Sequence, residues 1–98
     1  MDLTETRLAA AAAVHRLIDR RETVATAESL TGGLVAATVV EIPGVSAVFR
    51  GGLIVYATDL KAALAGVPEG LLAERGPVDA DVAAALAAGA GTAGPQPG

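Results

Sequence analysis

The stretch TVATAESLTGG, residues 23–33, decides the fold of this chain. Its first part, 23–27, is rich in β-branched residues and is typical of a short strand. It ends at the paired glycines Gly32 and Gly33, which allow a tight turn. The apolar run that follows, 34–40, could be a buried helix or a strand by its pattern alone. Its place between two strand-like runs favours a helix, so the sequence predicts a strand–turn–helix unit.

A long helix is predicted before this unit, from Leu3 to about Arg21. Asp2 and Glu5 have the spacing of a capping box, which marks a helix start. The apolar residues fall on one face, as in an amphipathic helix, at Ala10, Val14, Leu17 and Ile18.

A second strand and three short helices are predicted after the unit. The continuously apolar run Leu53–Tyr56 is typical of a buried strand. One helix is capped by Thr58 or Asp59 and runs to Leu64, and another spans residues 69–75. The last is capped by Asp79 and ends near Ala88 or Gly89. The segment from there to Gly98 is rich in Gly and Pro and predicts a loose tail.

Strands that alternate with helices predict a layered α/β domain with a largely parallel sheet. The 98 residues suffice for one domain with one core. Only two strands are visible, and a sheet of two strands is marginal by itself. We therefore expect part of the sheet to be missing from this sequence.

The composition argues against several classes of function. The net charge is −4 and no basic cluster is present, so no nucleic-acid partner is expected. The chain has no cysteine and one histidine, so no metal site built on cysteine or histidine is expected. The apolar run 9–14 is far shorter than the roughly 20 residues of a membrane span. We expect a cytoplasmic protein with no membrane contact and no leader peptide.

The apolar residues are mostly small. They make up 52% of the chain, but aromatic residues make up only 2%. A core of Ala, Val, Leu and Ile buries little area per side chain, which limits the stability of an isolated subunit. We expect a homodimer or a larger homo-oligomer.

Ser29 is the first candidate for chemistry because of its surroundings. It lies between a predicted strand and the N-terminus of a predicted helix, where backbone amides and the helix dipole stabilise negative charge. Amides at Gly32 and Gly33 could approach a carbonyl oxygen, as an oxyanion site requires. The alternative is that Ser29 or Thr31 only caps the helix, and the pattern alone favours this cap.

A nucleophilic serine needs a base. Lys61 lies near the start of a predicted helix, where the dipole disfavours a cation, but it could instead be a solvated surface lysine. Tyr56 is either a core aromatic with its hydroxyl at the rim or a proton relay between Lys61 and Ser29. Glu28 could orient the turn, contact substrate or end the strand in solvent. His15 lies within the first helix and is interpreted as partly exposed and structurally neutral.

The segment AESLTGG, residues 27–33, resembles the A-E-S-x-T-G-G motif of the CinA C-terminal domain family. Three further segments are similar to that family in order and spacing: residues 43–46, residues 49–52 with Tyr56 following, and Lys61 ahead of residues 64–67. The helix after Asp79 looks like the family's next helix. The resemblance covers roughly residues 5 to 90, and the chain is identified as a member of the family.

The resemblance implies a hydrolase that deamidates nicotinamide mononucleotide to nicotinic acid mononucleotide and ammonia. It implies Ser29 as the nucleophile, assisted by Lys61 and Tyr56. No metal or cofactor is expected, and the partner is a small-molecule nucleotide. The residues assigned to substrate binding are Glu28, Thr31, Gly32 and Gly33.

The implied fold is a three-layer α/β/α sandwich with a mainly parallel, mixed sheet, of which residues 1–90 form the first part. Family domains are longer and carry a T-G-x-A-G-P loop that contributes to nucleotide binding. Residues 91–98 are predicted as a Gly/Pro-rich tail in which Gly91–Pro95 echoes this loop. Two alternatives stay open. One is an inactive, incomplete domain that serves as an interaction module, and the other is a serine–lysine amidase for a different small amide.

Overall fold

The structure, a computed structural model, describes residues 2–92. Helices and strands alternate along the chain, as the sequence predicts for an α/β fold. A single 3₁₀ turn, Val45–Ala47, precedes the second strand. The elements in order are α1 (Thr4–Arg20), β1 (Val24–Glu28), α2 (Leu34–Val39), β2 (Phe49–Ile54), α3 (Thr58–Ala63), α4 (Glu69–Arg75) and α5 (Ala80–Thr92).

The two described strands pair in parallel, joined by the crossover that contains α2. The register places Glu28 opposite Ile54, so both strands end at the same edge of the sheet. The turn after β1 and the loop after β2 therefore lie side by side. This arrangement positions the candidate site, because ligands of open α/β sheets bind outside the carboxyl ends of the strands.

Two apolar clusters hold the elements together. The smaller cluster joins α1 to the α2–β2 connection through Val14, Ile42 and Val48. The larger one joins the end of β2 to α3, α4 and α5, and its buried members are Val55, Ala65, Val67, Leu72, Val82 and Leu86. Both consist of aliphatic side chains, as the composition predicts.

The helix α1 confirms the predicted amphipathic segment, with Val14 buried on its apolar face. Asp2 Oδ1 accepts a hydrogen bond of 2.9 Å from the amide of Thr4. The residue at the capping position is Leu3, which makes no capping bond with its side chain, so Asp2 acts one residue earlier than the capping box predicts. At the other end, Arg21 adopts a left-handed φ of 55°, and the amides of Arg21 and Glu22 close the last turn on Ile18 and Leu17.

The second strand begins earlier and ends earlier than predicted. It spans Phe49–Ile54, so Gly51 and Gly52 lie inside it and Tyr56 follows it. The glycine pair suggested a turn before the strand, but a Cβ on Gly52 would overlap the hydroxyl of Thr26 on β1. The pairing of the two strands thus requires a glycine at this position.

The caps of the last helices agree with the sequence only in part. The predicted cap of α3 by Thr58 or Asp59 is wrong, because Ala57 occupies the capping position and no side chain caps the helix. Asp79 does cap α5, since its Oδ2 accepts a 2.8 Å hydrogen bond from the amide of Asp81. The predicted helix 69–75 is confirmed as α4.

The last helix also runs further than predicted. The tail was expected to begin near Gly89, yet α5 continues to Thr92. Gly89 is buried within the helix, and a Cβ there would overlap the carbonyl oxygen of Ala65. This glycine therefore permits a close approach of two backbones and does not end the helix. The rest of the predicted tail, including residues 93–95 of the loop-like segment, lies outside the described residues.

Within residues 2–92, no helix is long and apolar enough to cross a membrane.

Candidate active site

A cleft of about 920 Å³ runs along β1 and its carboxyl end. One wall is formed by β1, the turn after it and the start of α2, and another by Tyr56, after β2, with Thr58 and Lys61 of α3. The third wall consists of residues 77–80 and the face of α5 that carries Ala83, Leu86 and Ala87. Five of the residues singled out in the sequence line this cleft, namely Glu28, Ser29, Thr31, Tyr56 and Lys61.

Ser29 is half-buried and lies directly after the last residue of β1. Its carbonyl oxygen accepts a hydrogen bond of 3.1 Å from the amide of Gly32, and the carbonyl oxygen of Thr31 accepts one of 3.0 Å from Leu34. These two bonds lead the chain from the strand into α2. No side chain occupies the capping position of α2, which is Gly33. The interpretation of Ser29 or Thr31 as the residue at that position is therefore wrong.

The two glycines of the turn have left-handed backbones. Gly32 has φ 61° and Gly33 has φ 107°. A Cβ on Gly33 would lie 2.9 Å from Cδ1 of Ile54 at the end of β2, whereas one on Gly32 would meet nothing within 4 Å. The turn thus favours glycine at both positions for its backbone conformation, and a side chain at Gly33 would also displace the end of the Ile54 side chain.

Glu28 is buried, with 5% of its surface exposed. Its Oε1 accepts hydrogen bonds from the hydroxyl of Thr31 at 2.7 Å and from the amide of Val35 at 2.8 Å. Its Oε2 accepts one of 3.1 Å from the amide of Ala36. Because Val35 and Ala36 are in the first turn of α2, the carboxylate caps this helix from the preceding strand. The interpretation of Glu28 as a solvated strand end is wrong.

The hydrogen bonds of Glu28 determine its ionisation. Burial by itself raises the pKa of the carboxyl group. The hydroxyl of Thr31 and the backbone amides of Val35, Ala36 and Gly33 lower it by a larger amount, so the pKa of Glu28 stays below its ordinary value. Glu28 is therefore a carboxylate at neutral pH.

Lys61 is buried more completely than any charged residue in the described part of the chain, with 1% of its surface exposed. Its Nζ donates hydrogen bonds to the carbonyl oxygens of Val55 at 2.9 Å and Tyr56 at 2.7 Å. The interpretation as a solvated surface lysine is wrong. The lysine instead links α3 to the loop that follows β2.

The electrostatic argument for Lys61 also changes. The sequence placed it near the start of a helix, where the dipole would disfavour a cation. In the structure, α3 has only six residues and Lys61 belongs to its last turn. The dipole therefore gives no reason for a neutral lysine. The two carbonyl oxygens are the groups that orient the side-chain nitrogen.

Tyr56 is 74% exposed. It is not a core aromatic, because it lies beyond the end of β2 on the open side of the cleft. In residues 2–92, no hydrogen bond joins Ser29 Oγ to Lys61 or to Tyr56. The structure places the three side chains on one cleft and leaves the predicted proton relay without direct contacts.

Gly32 and Gly33 do not line the cleft. The amide of Gly32 closes the turn onto Ser29, and the amide of Gly33 contributes to lowering the pKa of Glu28. Both amides that the sequence assigns to the oxyanion thus already have protein acceptors. His15 is exposed on α1 and also lies away from the cleft.

Sequence reasoning missed the wall made by residues 77–80 and α5. Asp79 lines this wall while it caps the helix. Thr26 on β1 was also missed, and its buried hydroxyl has no hydrogen-bond partner among the described residues. No local signal identifies these positions, because the packing of α5 on β1 depends on segments about 50 residues apart. The described residues contain no group of three or more potential metal ligands.

The chain was compared with known protein families and with curated relatives. The family described as the CinA C-terminal domain matches residues 6–96. A CinA-like protein of Frankia casuarinae is 49% identical over 94 residues, covering 83% of this chain and 22% of its own length. A CinA-like protein of Geobacter metallireducens is 59% identical over 68 residues, covering 69% of this chain and 16% of its own length. The chain thus spans about a fifth of these relatives.

Solved structures share the fold. The competence/damage inducible protein CihA from Agrobacterium tumefaciens matches with a TM-score of 0.81 and 36% identity, over 86% of this chain and 51% of that one. A CinA superfamily protein from Escherichia coli matches with a TM-score of 0.82 and 27% identity, over 92% of this chain and 54% of that one. The small α/β fold with its parallel pair of strands therefore corresponds to about half of each solved chain. With the family match over nearly its whole length, this chain belongs to the CinA C-terminal domain family.

Proposed function

We propose that the cleft is the active site of an amidohydrolase that converts nicotinamide mononucleotide to nicotinic acid mononucleotide and ammonia. Ser29 is the nucleophile and Lys61 the base, with Tyr56 assisting. The observation that carries the proposal is the state of Lys61: it is 1% exposed, held by two carbonyl oxygens and on the same cleft as Ser29. Buried, oriented amines beside a possible nucleophile are typical of catalytic sites.

The two carbonyl oxygens leave one position on the nitrogen of Lys61. An ammonium group has three N–H bonds, so its third would remain for the cleft. An amine has two N–H bonds, which the carbonyl oxygens of Val55 and Tyr56 can both accept, and its lone pair then takes the third position. The same two hydrogen bonds can therefore hold Lys61 both when it accepts a proton and when it returns one.

The reaction follows from these roles. Ser29 Oγ attacks the carboxamide carbon while its proton passes to Lys61, through Tyr56 if the two are not in contact. The tetrahedral intermediate collapses by breaking the C–N bond, and the nitrogen leaves as ammonia with the proton from Lys61. Water then attacks the ester and gives its proton to Lys61, which returns it to Ser29.

The oxyanion needs hydrogen-bond donors at the turn. Gly32 and Gly33 remain our proposed donors, although both amides already have acceptors in the protein. A substrate oxygen would have to share these amides, as in three-centre hydrogen bonds. Thr31, unlike the two glycines, lines the cleft and is proposed to contact substrate.

The phosphate of a nucleotide needs a cation or free amides. Lys61 is the only cation that lines the cleft within the described residues, and it faces carbonyl oxygens. We therefore propose that the phosphate is bound by parts that the longer relatives possess. We also propose for such a longer protein the three-layer sandwich with a mixed sheet, the homo-oligomer and the cytoplasmic location.

The proposal predicts that Ser29→Ala abolishes ammonia release from nicotinamide mononucleotide, because the substitution removes the proposed nucleophile, the Oγ atom of Ser29. Ammonia is measured by a coupled dehydrogenase assay on the purified protein. Ser46→Ala is the matched control, since Ser46 is exposed and lies outside the cleft, and it should retain activity. Full activity in Ser29→Ala would contradict the mechanism.

Two other outcomes correspond to the alternatives. Activity on another small amide, but not on the nucleotide, would keep the serine–lysine chemistry and change the substrate. A folded protein that releases no ammonia from any amide would favour an interaction module. The interaction module stays a candidate because, in the described residues, no hydrogen bond joins Ser29 to Lys61 or to Tyr56.

A further inference from the structure

We infer that Glu28 is the positioning residue of the nucleophile turn and does not bind substrate, an inference that rests on the proposed role of Ser29. The sequence assigns this glutamate to substrate binding. In the structure both of its carboxylate oxygens accept hydrogen bonds from the protein, and only 5% of the residue is exposed. Its negative charge is thus already matched by groups that belong to the turn and to α2.

One carboxylate closes the turn from both sides. It binds the hydroxyl of Thr31, two residues beyond Ser29, and the amides of Val35 and Ala36 in the first turn of α2. Ser29 and Leu30 are therefore enclosed between two residues whose side chains are bonded to each other. The bond from the amide of Gly32 to the carbonyl oxygen of Ser29 closes a second ring that overlaps the first. A shift of the Ser29 backbone therefore strains the Thr31–Glu28 bond or the Gly32–Ser29 bond.

The backbone of Glu28 extends this support to the lysine. Its carbonyl oxygen accepts a hydrogen bond of 2.8 Å from the amide of Val55. The carbonyl oxygen of Val55 accepts the 2.9 Å bond from Lys61 Nζ. The turn that carries the nucleophile and the proposed base are thus connected through a single residue, Val55, and a displacement of the turn changes the distance between Ser29 and Lys61.

The charge of Glu28 is compatible with an oxyanion nearby. Glu28 and Ser29 both line the cleft, so the position of the negative charge follows from the hydrogen bonds of the carboxylate. The hydrogen bonds of Glu28 go to α2, at the helix end where the dipole favours an anion. Glu28 therefore orients the turn without placing a full negative charge beside the attacked carbonyl group.

The inference is tested with Glu28→Gln and with the pair Thr31→Val and Thr31→Ser. Glutamine keeps the shape but offers one oxygen, and its NH₂ group meets an amide donor of α2. A shift of about 1 Å at a reacting atom lowers kcat by about 100-fold, so we expect a loss of this order in Glu28→Gln with KM close to that of the wild type. Thr31→Val removes the hydroxyl donor and should also lower kcat, and Thr31→Ser should regain most of the loss. Glu41→Gln is the matched control, because Glu41 is exposed and bound only in a surface ion pair with Arg7.

A raised KM with unchanged kcat in Glu28→Gln would overturn the inference and restore substrate binding. Equal losses in Thr31→Ser and Thr31→Val would also overturn it. A lowered kcat with unchanged KM reports a shift in the position of the nucleophile, whereas a stability measurement alone does not.

A second readout separates this inference from the proposed function. The rate at which phenylmethylsulfonyl fluoride labels Ser29, followed by mass spectrometry, reports on the nucleophile without the nucleotide. If wild-type protein is labelled but releases no ammonia, the proposed substrate is wrong, and slower labelling of Glu28→Gln still supports positioning. If wild-type protein releases ammonia and Glu28→Gln equals it in both assays, the positioning role is wrong and the proposed function stands.

Discussion

At the end of each strand, a buried ionisable side chain is held by hydrogen bonds to the backbone. The side chain at β1 is acidic and the one at β2 is basic. At the end of β1, the buried carboxylate of Glu28 accepts hydrogen bonds from backbone amides of the following helix. At the end of β2, the buried nitrogen of Lys61 donates to backbone carbonyl oxygens of the preceding loop. Neither residue forms an ion pair with another side chain among the described residues. Each buried charge is instead compensated by the backbone groups whose positions it determines.

The two ends differ in the hydrogen-bonding capacity that each buried side chain has left for a substrate. Both oxygens of Glu28 are occupied, and its pKa is lowered so that it remains charged. Lys61 has two bonds to carbonyl oxygens and a third position toward the cleft that it lines. A buried carboxylate whose two oxygens are both bound by the protein is suited to support structure, whereas an amine with one position left can also exchange a proton. The comparison therefore separates the two buried charged residues: Glu28 supports the turn that carries Ser29, and Lys61 is the one proposed to exchange a proton.

The largest effect is expected from Lys61→Met, which removes the nitrogen and keeps the length of the side chain. A general base contributes about 10²- to 10⁴-fold to a rate, and we expect kcat for ammonia release to fall by this factor. Stability should change less, because methionine avoids the cost of burying a charge while two carbonyl oxygens lose their donor. Thermal unfolding by circular dichroism checks the second part. Arg50→Met, at an exposed cation outside the cleft, is the control; equal activity in both variants would break the comparison.

A smaller effect is expected from alanine in the turn that Glu28 supports. Gly33 has φ 107°, further than Gly32 from the left-handed minimum near about 57° that other residues can adopt, so Gly33→Ala should lower the free energy of unfolding by about 2–3 kcal/mol. Gly32 has φ 61° with open space around it, so Gly32→Ala should cost about 1–2 kcal/mol. Urea denaturation of both variants measures the difference. If Gly32→Ala were the more damaging, the backbone of the turn would not have the conformation described.

The smallest expected effect is the loss of the stability that Glu28 contributes. This effect should depend on pH more sharply than the others. Hydrogen bonds to a charged group contribute about 1.5–3 kcal/mol, and Glu28→Gln should lose a part of this at pH 7. The folded pKa of Glu28 is below its ordinary value of 4.5. Its contribution is therefore complete above that ordinary value and is lost as the pH falls through the folded pKa.

Denaturation of the wild type and Glu28→Gln from pH 7 to pH 3 tests this sign. The difference in free energy should be constant down to about pH 5 and then shrink toward acid. Glu41→Gln provides the baseline for an exposed carboxylate. A difference that grew toward low pH would mean that the protonated form of Glu28 is the one stabilised in the folded protein.

Local patterns in the sequence predicted several elements well. The long helix α1, the strand before Ser29 and the helix after it follow from periodicity, β-branched residues and glycine placement. Asp79 was identified as a cap because capping depends on residues two or three positions apart. In each case the deciding interactions lie within a few residues of one another.

The errors have a common cause in contacts between distant segments. Gly52 belongs to a strand because Thr26 packs against it, and Gly89 lies within a helix because the carbonyl oxygen of Ala65 lies against it. A glycine in isolation suggests a turn or a helix end in both places. The side chain of Tyr56 was expected in the core or in a relay, but the end of β2 at Ile54 leaves it exposed.

The sequence by itself determined the order of the elements and the family, because motif and spacing are local and linear. It also named five residues that line the cleft, but not the wall formed by residues 77–80 and α5. Only the tertiary structure decided that Glu28 and Lys61 are buried and which backbone groups they bind. Burial depends on what packs around a side chain, and here α2, α3 and the two strand ends meet from positions up to 33 residues apart. For that reason Glu28 changed from a substrate contact to a support of Ser29, while Lys61 remained our candidate base on different electrostatic grounds.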